Sequence, residues 1–280
     1  MPTAFVLLWS SAFIAGVIGV GAAPPLLLIA ARFAGAGLLM ALYSLAVRAP
    51  WPRGKNLFHV AISGLLIQAV QFGAFYMALG LKLPAAVIAL VQGLNPVVIA
   101  LLASRMLGER ATARQWLGFV IGGLGVLLAV STVIRVSVLG VVLCVVGLAG
   151  LSVGTVYQKR FAPDMDIRTG TATQFLISTP VVALAWLAVE PVHVSKWLPF
   201  GLALAWMIAV NSIGAFALLY TLLRGSSASK VGTLFFLTPT VTAVLTWLVV
   251  GQTLRPAEIA GLVVAGTGVL LASSPSRQRR

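Results

Sequence analysis

Ten long apolar stretches alternate along the chain with short polar connections. They cover roughly residues 4–20, 26–47, 57–79, 84–106, 114–132, 137–156, 169–189, 199–221, 229–250 and 256–272. Each is close to the length of about 20 residues that an α-helix needs to cross a lipid bilayer. The connections are too short to hold a soluble domain. The pattern therefore predicts an all-α membrane protein with ten transmembrane helices, and any function must lie among them.

The amino-acid composition agrees with a membrane protein. Hydrophobic residues make up 60% of the 280 residues and charged residues only 9%, with a mean hydropathy of +1.07. A soluble domain of this length needs far more charge on its surface. The first stretch has the small residues of a signal peptide, but it lacks a positive n-region and nine further stretches follow it. It is therefore interpreted as a membrane span.

The basic residues are unevenly distributed among the connections. With a cytoplasmic N-terminus, the outer connections hold only Lys82, Arg135, Lys196 and Arg255, and Arg32 lies within a span. The inner connections and the C-terminal tail hold the other fourteen: Arg48, Arg53, Lys55, Arg105, Arg110, Arg114, Lys159, Arg160, Arg168, Arg224, Lys230, Arg277, Arg279 and Arg280. This bias predicts that both termini are cytoplasmic. Despite the net charge of +14, the "SRQRR" tail favours a topogenic or lipid contact over nucleic-acid binding.

The second half of the chain repeats the first. A shift of 143 residues places residues 85–129 over residues 228–272 without a gap, and 15 of the 45 positions are identical. The identities include one proline pair and four glycine pairs: Pro96/Pro239, Gly108/Gly251, Gly118/Gly261, Gly123/Gly266 and Gly125/Gly268. The chain is therefore predicted to be a duplicated five-helix unit, with repeats at 1–135 and 136–280. Because five is odd, the second repeat crosses the membrane in the opposite sense.

Pro96 and Pro239 interrupt two predicted helices at matching positions. Proline removes a backbone hydrogen bond and clashes with the carbonyl four residues earlier, here that of Gln92 or Phe235. Inverted repeats with interrupted helices are a recurrent design of secondary transporters, whose halves rock around a site near the bilayer midplane. The two prolines are interpreted as helix kinks that either shape the bundle or offer carbonyls to a ligand.

Small residues line one face of the fifth and tenth spans. The motifs are "GFVIGGLG" and "GLVVAGTG". Glycines on one face allow another backbone to approach closely, so both spans are predicted to pack tightly against a neighbouring helix.

Several motifs carry a family resemblance. They are "LLWSSAFIA" in the first span, "ARF" at 31–33 with its echo "TQF" at 173–175, "NP" followed by "LLASRMLGER", and "QWLGFVIGGLGVLLA". With these motifs the whole chain resembles the EamA-type transporters of the drug/metabolite transporter superfamily, and among them the YddG-type amino-acid exporters. The resemblance implies a basket of two inverted halves around a central cavity, moving small metabolites across a bacterial inner membrane. Many members of the family have Gly-Glu in the second repeat, where this chain has Gly251-Gln252. Any role of that glutamate therefore carries over only to Glu109, in the first repeat.

Deep charged residues are rare in the predicted spans. None of the five acids lies deep, so the sequence predicts facilitated transport or exchange rather than proton antiport through a buried carboxylate. Arg32 is the one deep charge, and it is interpreted either as a partner for a substrate carboxylate or as a structural residue. Cys144 is the only cysteine, and His59 and His193 are far apart in sequence. No metal site and no cofactor are expected.

Amide and aromatic side chains form a candidate substrate cavity. Gln68, Gln71, Phe72 and Phe75 have spacings of three and four, which places them on one helix face. Such a lining suits a neutral or zwitterionic molecule; the alternative is that the amides bond helices together and the aromatics form interfacial belts. The complete set of candidates is Trp9, Ser10, Phe13, Gln68, Gln71, Phe72, Phe75, Gln92, Asn95, Ser152, Tyr157, Asn211, Phe216, Tyr220 and Thr238.

The sequence favours a secondary transporter that exports small metabolites by alternating access, with neutral or aromatic amino acids as the substrate class. Efflux of amphipathic organic cations is an alternative, which the lack of a buried acid disfavours. A channel is another, because a broken helix can line a filter. An intramembrane enzyme is not expected, since the deep residues supply no acid or histidine. The expected partners are the substrate and membrane lipid, without nucleic acid, and the sequence is compatible with a monomer.

Overall fold

The computed structural model describes residues 2–106, 112–131, 137–225, 234, 237–251, 253 and 255–273, and all regular structure in them is helical. Two π-helical segments, π1 (Leu65–Val70) and π2 (Met207–Ala215), each join two α-helices into one rod. Six rods are long and apolar enough to cross a membrane. The α-helices are α1 (Pro2–Val20), α2 (Pro25–Ala46), α3 (Gly54–Gly64), α4 (Gln71–Gly80), α5 (Ala85–Gln92), α6 (Asn95–Met106), α7 (Ala113–Ser131), α8 (Val138–Phe161), α9 (Ile167–Val189), α10 (Trp197–Trp206), α11 (Phe216–Gly225), α12 (Thr238–Val250) and α13 (Pro256–Ser273).

Local sequence signals set several helix ends. The Ser137 hydroxyl accepts a hydrogen bond from the Gly140 N–H at the start of α8, and the Asp166 carboxylate accepts one from the Arg168 N–H at the start of α9. Both are N-caps of the expected residue types. Helix α12 ends at Gly251, whose φ of 70° lies in the left-handed region that glycine adopts without strain. These ends lie close to those predicted from the apolar stretches.

Large apolar side chains cover the outside of the bundle, and polar side chains lie inside it. Leu184 and Leu198 are 67% and 74% exposed, whereas Arg32, Gln68 and Asn211 are at most 2% exposed. A soluble protein has the opposite distribution. The described residues therefore form an all-helical membrane protein whose outer surface contacts lipid and whose polar groups must find partners inside the protein.

Helices α7 and α13 pack backbone to backbone through glycine. A Cβ atom at Gly125 would clash with the nitrogen of Ala265 and lie 2.6 Å from the Gly261 carbonyl oxygen. A Cβ atom at Gly268 would likewise lie 2.6 Å from the Gly118 carbonyl oxygen. The contacts are reciprocal under the 143-residue shift, and the late part of each helix meets the early part of the other. The two helices therefore run antiparallel, and the close approach predicted from the glycine motifs is confirmed.

Other contacts also join equivalent elements of the two halves. Helix α2 packs along α9, where the rings of Phe33 and Phe175 lie 5.4 Å apart. These two residues end the matching motifs "ARF" and "TQF". Helix α1 packs on α12, and α8 packs in the same way on α6. The core is therefore built mainly from contacts between the halves.

An acid from the second half holds the start of α2. The Glu190 carboxylate, just after α9, accepts hydrogen bonds from the Leu26 N–H with its two oxygens at 2.9 and 3.2 Å. The adjacent Ser195 donates its N–H and its hydroxyl to the Ala22 carbonyl, each at 2.8 Å. Burial raises the pKa of Glu190, and the bond from Leu26 opposes that shift in part. This end of α2 is thus fastened to the connection between α9 and α10.

Replacement of Gly125 by alanine is expected to destabilise the protein by about 1–3 kcal/mol, because the added methyl group meets backbone atoms that cannot turn away. The thermal unfolding midpoint of the detergent-purified protein measures the effect. Gly123→Ala is the matched control, since a Cβ there has nothing within 4 Å. Equal midpoints for the two variants would contradict the close packing of α7 on α13.

The raised pKa of Glu190 gives the protein a defined pH dependence. The Glu190 carboxyl holds its proton more tightly in the folded state than in the unfolded state. The stability that this protonation contributes is therefore complete below the ordinary pKa of 4.5 and is lost as pH rises through the pKa of the folded state. Glu190→Gln keeps an amide oxygen that can accept from the Leu26 N–H. Its thermal unfolding midpoint is expected to change less with pH over this range than that of the wild type. Asp164→Asn, at an exposed acid, serves as the control. An unchanged slope in Glu190→Gln would contradict the assignment.

Candidate substrate site

The two π-helical segments occupy equivalent positions in the two halves. Shifting residues 65–70 by 143 places them on residues 208–213, inside π2. Each segment carries one buried amide, Gln68 in π1 and Asn211 in π2. A π-turn holds an extra residue and is frequently found at functional sites. The two halves thus share a widened helical turn that carries a buried amide.

A cavity lies between α1, α2, α4, α5, π2 and α11, with about 500 Å³ of space between its atoms, part of which is open to the outside. Aromatic rings make up much of its wall, and acids are absent from its lining. The cavity is lined by Trp9, Ala12, Phe13, Arg32, Phe72, Phe75, Tyr76, Leu79, Ile88, Gln92, Asn211 and Phe216.

The structure brings eight of the predicted residues together in this lining. They are Trp9, Phe13, Arg32, Phe72, Phe75, Gln92, Asn211 and Phe216. The indole of Trp9 packs on Phe216 with ring centroids 5.4 Å apart, which joins α1 of the first half to α11 of the second. Ten of the twelve lining residues come from the first half, so the cavity is asymmetric although the scaffold is duplicated.

Arg32 is 1% exposed, and its guanidinium has three kinds of contact. Its Nε donates to the Ser212 hydroxyl at 2.9 Å, and its charged carbon lies 4.6 Å from the centre of the Phe72 ring. Such a cation–π contact is favourable away from water. The Tyr76 hydroxyl is a further hydrogen-bonding neighbour. The Nη1 atom has no hydrogen-bond partner in the described part of the chain.

Asn211 is fixed by bonds to α1. Its Nδ2 donates to the Leu8 carbonyl at 2.6 Å and to the Ser11 hydroxyl at 3.1 Å. A carbonyl can only accept, so the nitrogen must be the atom that faces α1. Its Oδ1 is buried and has no hydrogen-bond partner among the described residues.

The helix that carries Pro96 is broken before the proline rather than kinked at it. Helix α5 ends at Gln92 and α6 begins at Asn95, so Pro96 lies in the first helical turn, where its missing N–H is not needed. Pro239 likewise lies in the first turn of α12. The kink interpretation is therefore replaced by a helix break at both prolines. Phe235, whose carbonyl was expected to be freed, lies outside the described residues.

Four predicted cavity residues lie at these breaks and not in the cavity lining. Ser10 donates its hydroxyl to the Thr238 carbonyl at 3.4 Å, directly before Pro239. In the other half, the Ser152 hydroxyl donates to Asn95 Oδ1 at 2.8 Å, directly before Pro96. These two hydrogen bonds therefore join each half to the interrupted helix of the other half.

Gln68, Gln71 and Tyr157 are also not part of the cavity lining. Gln68 and Gln71 are buried, and Gln68 has no bonded side-chain atom among the described residues. Tyr157 shares a 2.8 Å hydrogen bond with His59 Nδ1, between α8 and α3. The backbone of Tyr220 is in α11, but its side chain lies outside the described residues.

Sequence reasoning missed four lining residues, Ala12, Tyr76, Leu79 and Ile88. Only Tyr76 had a clear signal, since it follows Phe72 by four residues and so shares its helix face. The other three are apolar and could not be separated by type from the residues that face lipid.

Comparison with known proteins decides the family. The model of the EamA-like transporter family matches residues 3–131 and again residues 138–274. The chain belongs to this family. The resemblance seen in the sequence motifs is thereby confirmed at the level of the EamA family, and the two matches together cover nearly the whole chain.

Relatives of this EamA-like chain are transporters by name. It is 26% identical to the inner membrane transporter YedA of Escherichia coli strain K12, over 96% of this chain and 88% of YedA. It is 24% identical to the transporter YvbV of Bacillus subtilis strain 168, over 98% of this chain and 91% of YvbV. A solved crystal structure with 23% identity aligns over 97% of this chain and 95% of its own, with a TM-score of 0.69. That structure supports the fold alone.

Proposed function

We propose that this EamA-like chain is a secondary transporter that exports small metabolites, with neutral and aromatic amino acids as its substrate class. The observation that carries the proposal is the cavity between the halves, where aromatic rings surround a buried guanidinium with an unbonded Nη1 atom. Such a lining suits an apolar or aromatic side chain attached to a carboxylate. The similarity to YddG-type amino-acid exporters points to the same class.

The transport mechanism proposed is alternating access by two inverted repeats, 1–135 and 136–280, each with five spans. The double match to the family model, the equivalent π-segments and the antiparallel contact of α7 with α13 support this arrangement. The helix breaks at matching positions supply bends near the cavity. With no acid in the cavity lining, facilitated transport or exchange is favoured over proton antiport.

The protein is placed in a bacterial inner membrane with both termini in the cytoplasm. The name of YedA supports the membrane, and the distribution of basic residues supports the orientation. Organic-cation efflux is less well supported, because a cation beside Arg32 would be repelled. A channel would conduct without saturation, so transport kinetics distinguish it from a carrier.

The topology is tested with single cysteines introduced into a Cys144→Ser background. Lys55→Cys and Arg114→Cys are expected to react with a membrane-impermeant maleimide only from the cytoplasmic side, and Lys196→Cys and Arg255→Cys only from the outer side. Arg114 lies in the first turn of α7, and Arg255 directly precedes the equivalent helix α13, so the two positions report directly on inversion. Labelling of both from the same side would overturn the inverted topology.

Transport is tested with purified protein in liposomes, by counterflow of labelled amino acids. Saturable counterflow is expected for the wild type, and Arg32→Gln is expected to weaken it roughly tenfold or more, because a charge-assisted bond to the carboxylate is lost. Lys55→Gln, which removes an exposed positive charge from the start of α3, is the matched control. Counterflow that is identical in wild type and Arg32→Gln would exclude Arg32 from the site. Flux that does not saturate would indicate a channel, and strict dependence on a pH gradient would contradict facilitated transport.

A further inference from the structure

Two residues of the cavity lining, on neighbouring helices, each have one buried polar atom without a hydrogen bond among the described residues. The donor is Arg32 Nη1 on α2, and the acceptor is Asn211 Oδ1 on π2. Each belongs to a side chain at most 2% exposed. A buried polar atom without a partner costs about 1–3 kcal/mol, and more when it is charged. Two such atoms in one cavity therefore indicate groups that a ligand satisfies.

The donor is positioned so that a carboxylate is its natural partner. Arg32 uses Nε on Ser212 and the face of its guanidinium on Phe72, which leaves Nη1 as the end without a bond in the described residues. Among the residues that the structure describes, no acid belongs to the cavity lining. An anionic oxygen must therefore come from the bound molecule, where it would form a strong charge-assisted bond.

The acceptor cannot be exchanged for a donor by turning the amide. Asn211 Nδ2 is held by the Leu8 carbonyl at 2.6 Å, which requires a donor at that position. The carbonyl oxygen of the amide is therefore fixed as an acceptor. An ammonium group has three donors and no acceptor, so it fits this oxygen, whereas a carboxylate does not.

One turn of the helix positions both groups. Asn211 provides the acceptor itself, and the next residue, Ser212, accepts from Arg32 Nε and thereby orients the guanidinium. Both residues belong to π2, so the widened turn determines how the donor and the acceptor lie relative to each other. Ser212 acts through Arg32 and is a positioning residue.

We infer that Arg32 Nη1 and Asn211 Oδ1 form a head-group clamp that selects zwitterionic α-amino acids over molecules that carry only a carboxylate or only an amine. This inference rests on the proposed function and deepens it. The carboxylate bonds to Arg32, the ammonium group bonds to Asn211, and the side chain lies against the rings of Phe13, Phe75 and Phe216. A carboxylate alone leaves the amide oxygen unsatisfied, and an amine alone leaves the guanidinium unsatisfied.

Three probes with the same side chain test the clamp on the wild-type protein. They are phenylalanine, 3-phenylpropionate, which lacks the ammonium group, and phenethylamine, which lacks the carboxylate. Each competes with labelled phenylalanine for binding to the full chain in liposomes. Phenylalanine is expected to compete at concentrations about tenfold or more below those of both analogues. Equal competition by 3-phenylpropionate or phenethylamine would overturn the clamp.

Two variants assign the two halves of the clamp. Arg32→Gln is expected to bring phenylalanine and phenethylamine to equal affinity, because the carboxylate no longer gains a charged partner. Asn211→Asp keeps an acceptor oxygen but places a negative charge near Arg32. The affinity for phenethylamine is therefore expected to rise relative to the affinity for phenylalanine. A merely structural role would lower all three affinities together, and that result in either variant would overturn the assignment of its residue. Gel filtration verifies folding, and the wild-type comparison decides the matter if a variant fails to fold.

The result separates the clamp from the proposed function. If the wild type transports phenylalanine and 3-phenylpropionate equally, the chain is a transporter and the clamp is wrong. If it neither binds nor transports any labelled amino acid, the proposed substrate class is wrong, and the clamp falls with it.

Discussion

A polar group inside a bilayer must find its partner within the protein, and this constraint governs the arrangement of the whole bundle. The two helix interruptions beside Pro96 and Pro239 are accompanied by hydrogen bonds from the other half. Ser152 bonds Asn95 beside one break, and Ser10 bonds Thr238 beside the other. Where almost all buried polar groups must be satisfied, an unsatisfied one is informative. Arg32 Nη1 and Asn211 Oδ1 have that significance because both residues line the cavity.

The two repeats form the scaffold, and residues that differ between them give the cavity its polar groups. In the motifs "ARF" and "TQF", Arg32 corresponds to Gln174. Gln174 donates through Nε2 to the Ser63 hydroxyl at 3.0 Å and to the Gln158 amide oxygen at 2.9 Å, so it serves to join helices. Arg32 donates through Nε to Ser212 and has the Tyr76 hydroxyl as a further hydrogen-bonding neighbour, while its Nη1 has no partner among the described residues. The same position is therefore structural in one half and suited to a ligand in the other.

The rigid and deformable parts of the bundle are separate. Helices α7 and α13 are in backbone contact through Gly125 and Gly268, where no side chain can adjust, and they form a fixed seam between the halves. Segment π2 and the end of α5 at Gln92 line the cavity instead, and a wide turn or an interrupted helix has fewer regular backbone hydrogen bonds to hold its geometry. In the proposed alternating-access cycle, these are the elements that move.

The helical architecture could be read from the sequence because bilayer thickness fixes helix length and glycine spacing fixes where backbones can meet. The apolar stretches predicted the helices, the glycine motifs predicted that α7 and α13 would each pack closely against a neighbouring helix, and the sequence motifs predicted the family. The sequence also indicated that Arg32 and several aromatic residues would share a site. These properties depend on the spacing of residues along the chain, and that spacing can be read from a single sequence.

Only the tertiary structure decided which polar residues reach the cavity. Spacing placed Gln68 and Gln71 with Phe72 and Phe75, yet only the two phenylalanines line it. Periodicity arguments assume regular α-helical turns, and Gln68 lies in π1, whose extra residue per turn changes the helix face that its side chain occupies. Ser10, Asn95 and Thr238 lie instead at the helix breaks, where backbone groups lack partners within their own helix. Which partner a buried polar side chain finds depends on the neighbouring helix, and the periodicity of its own helix cannot specify that.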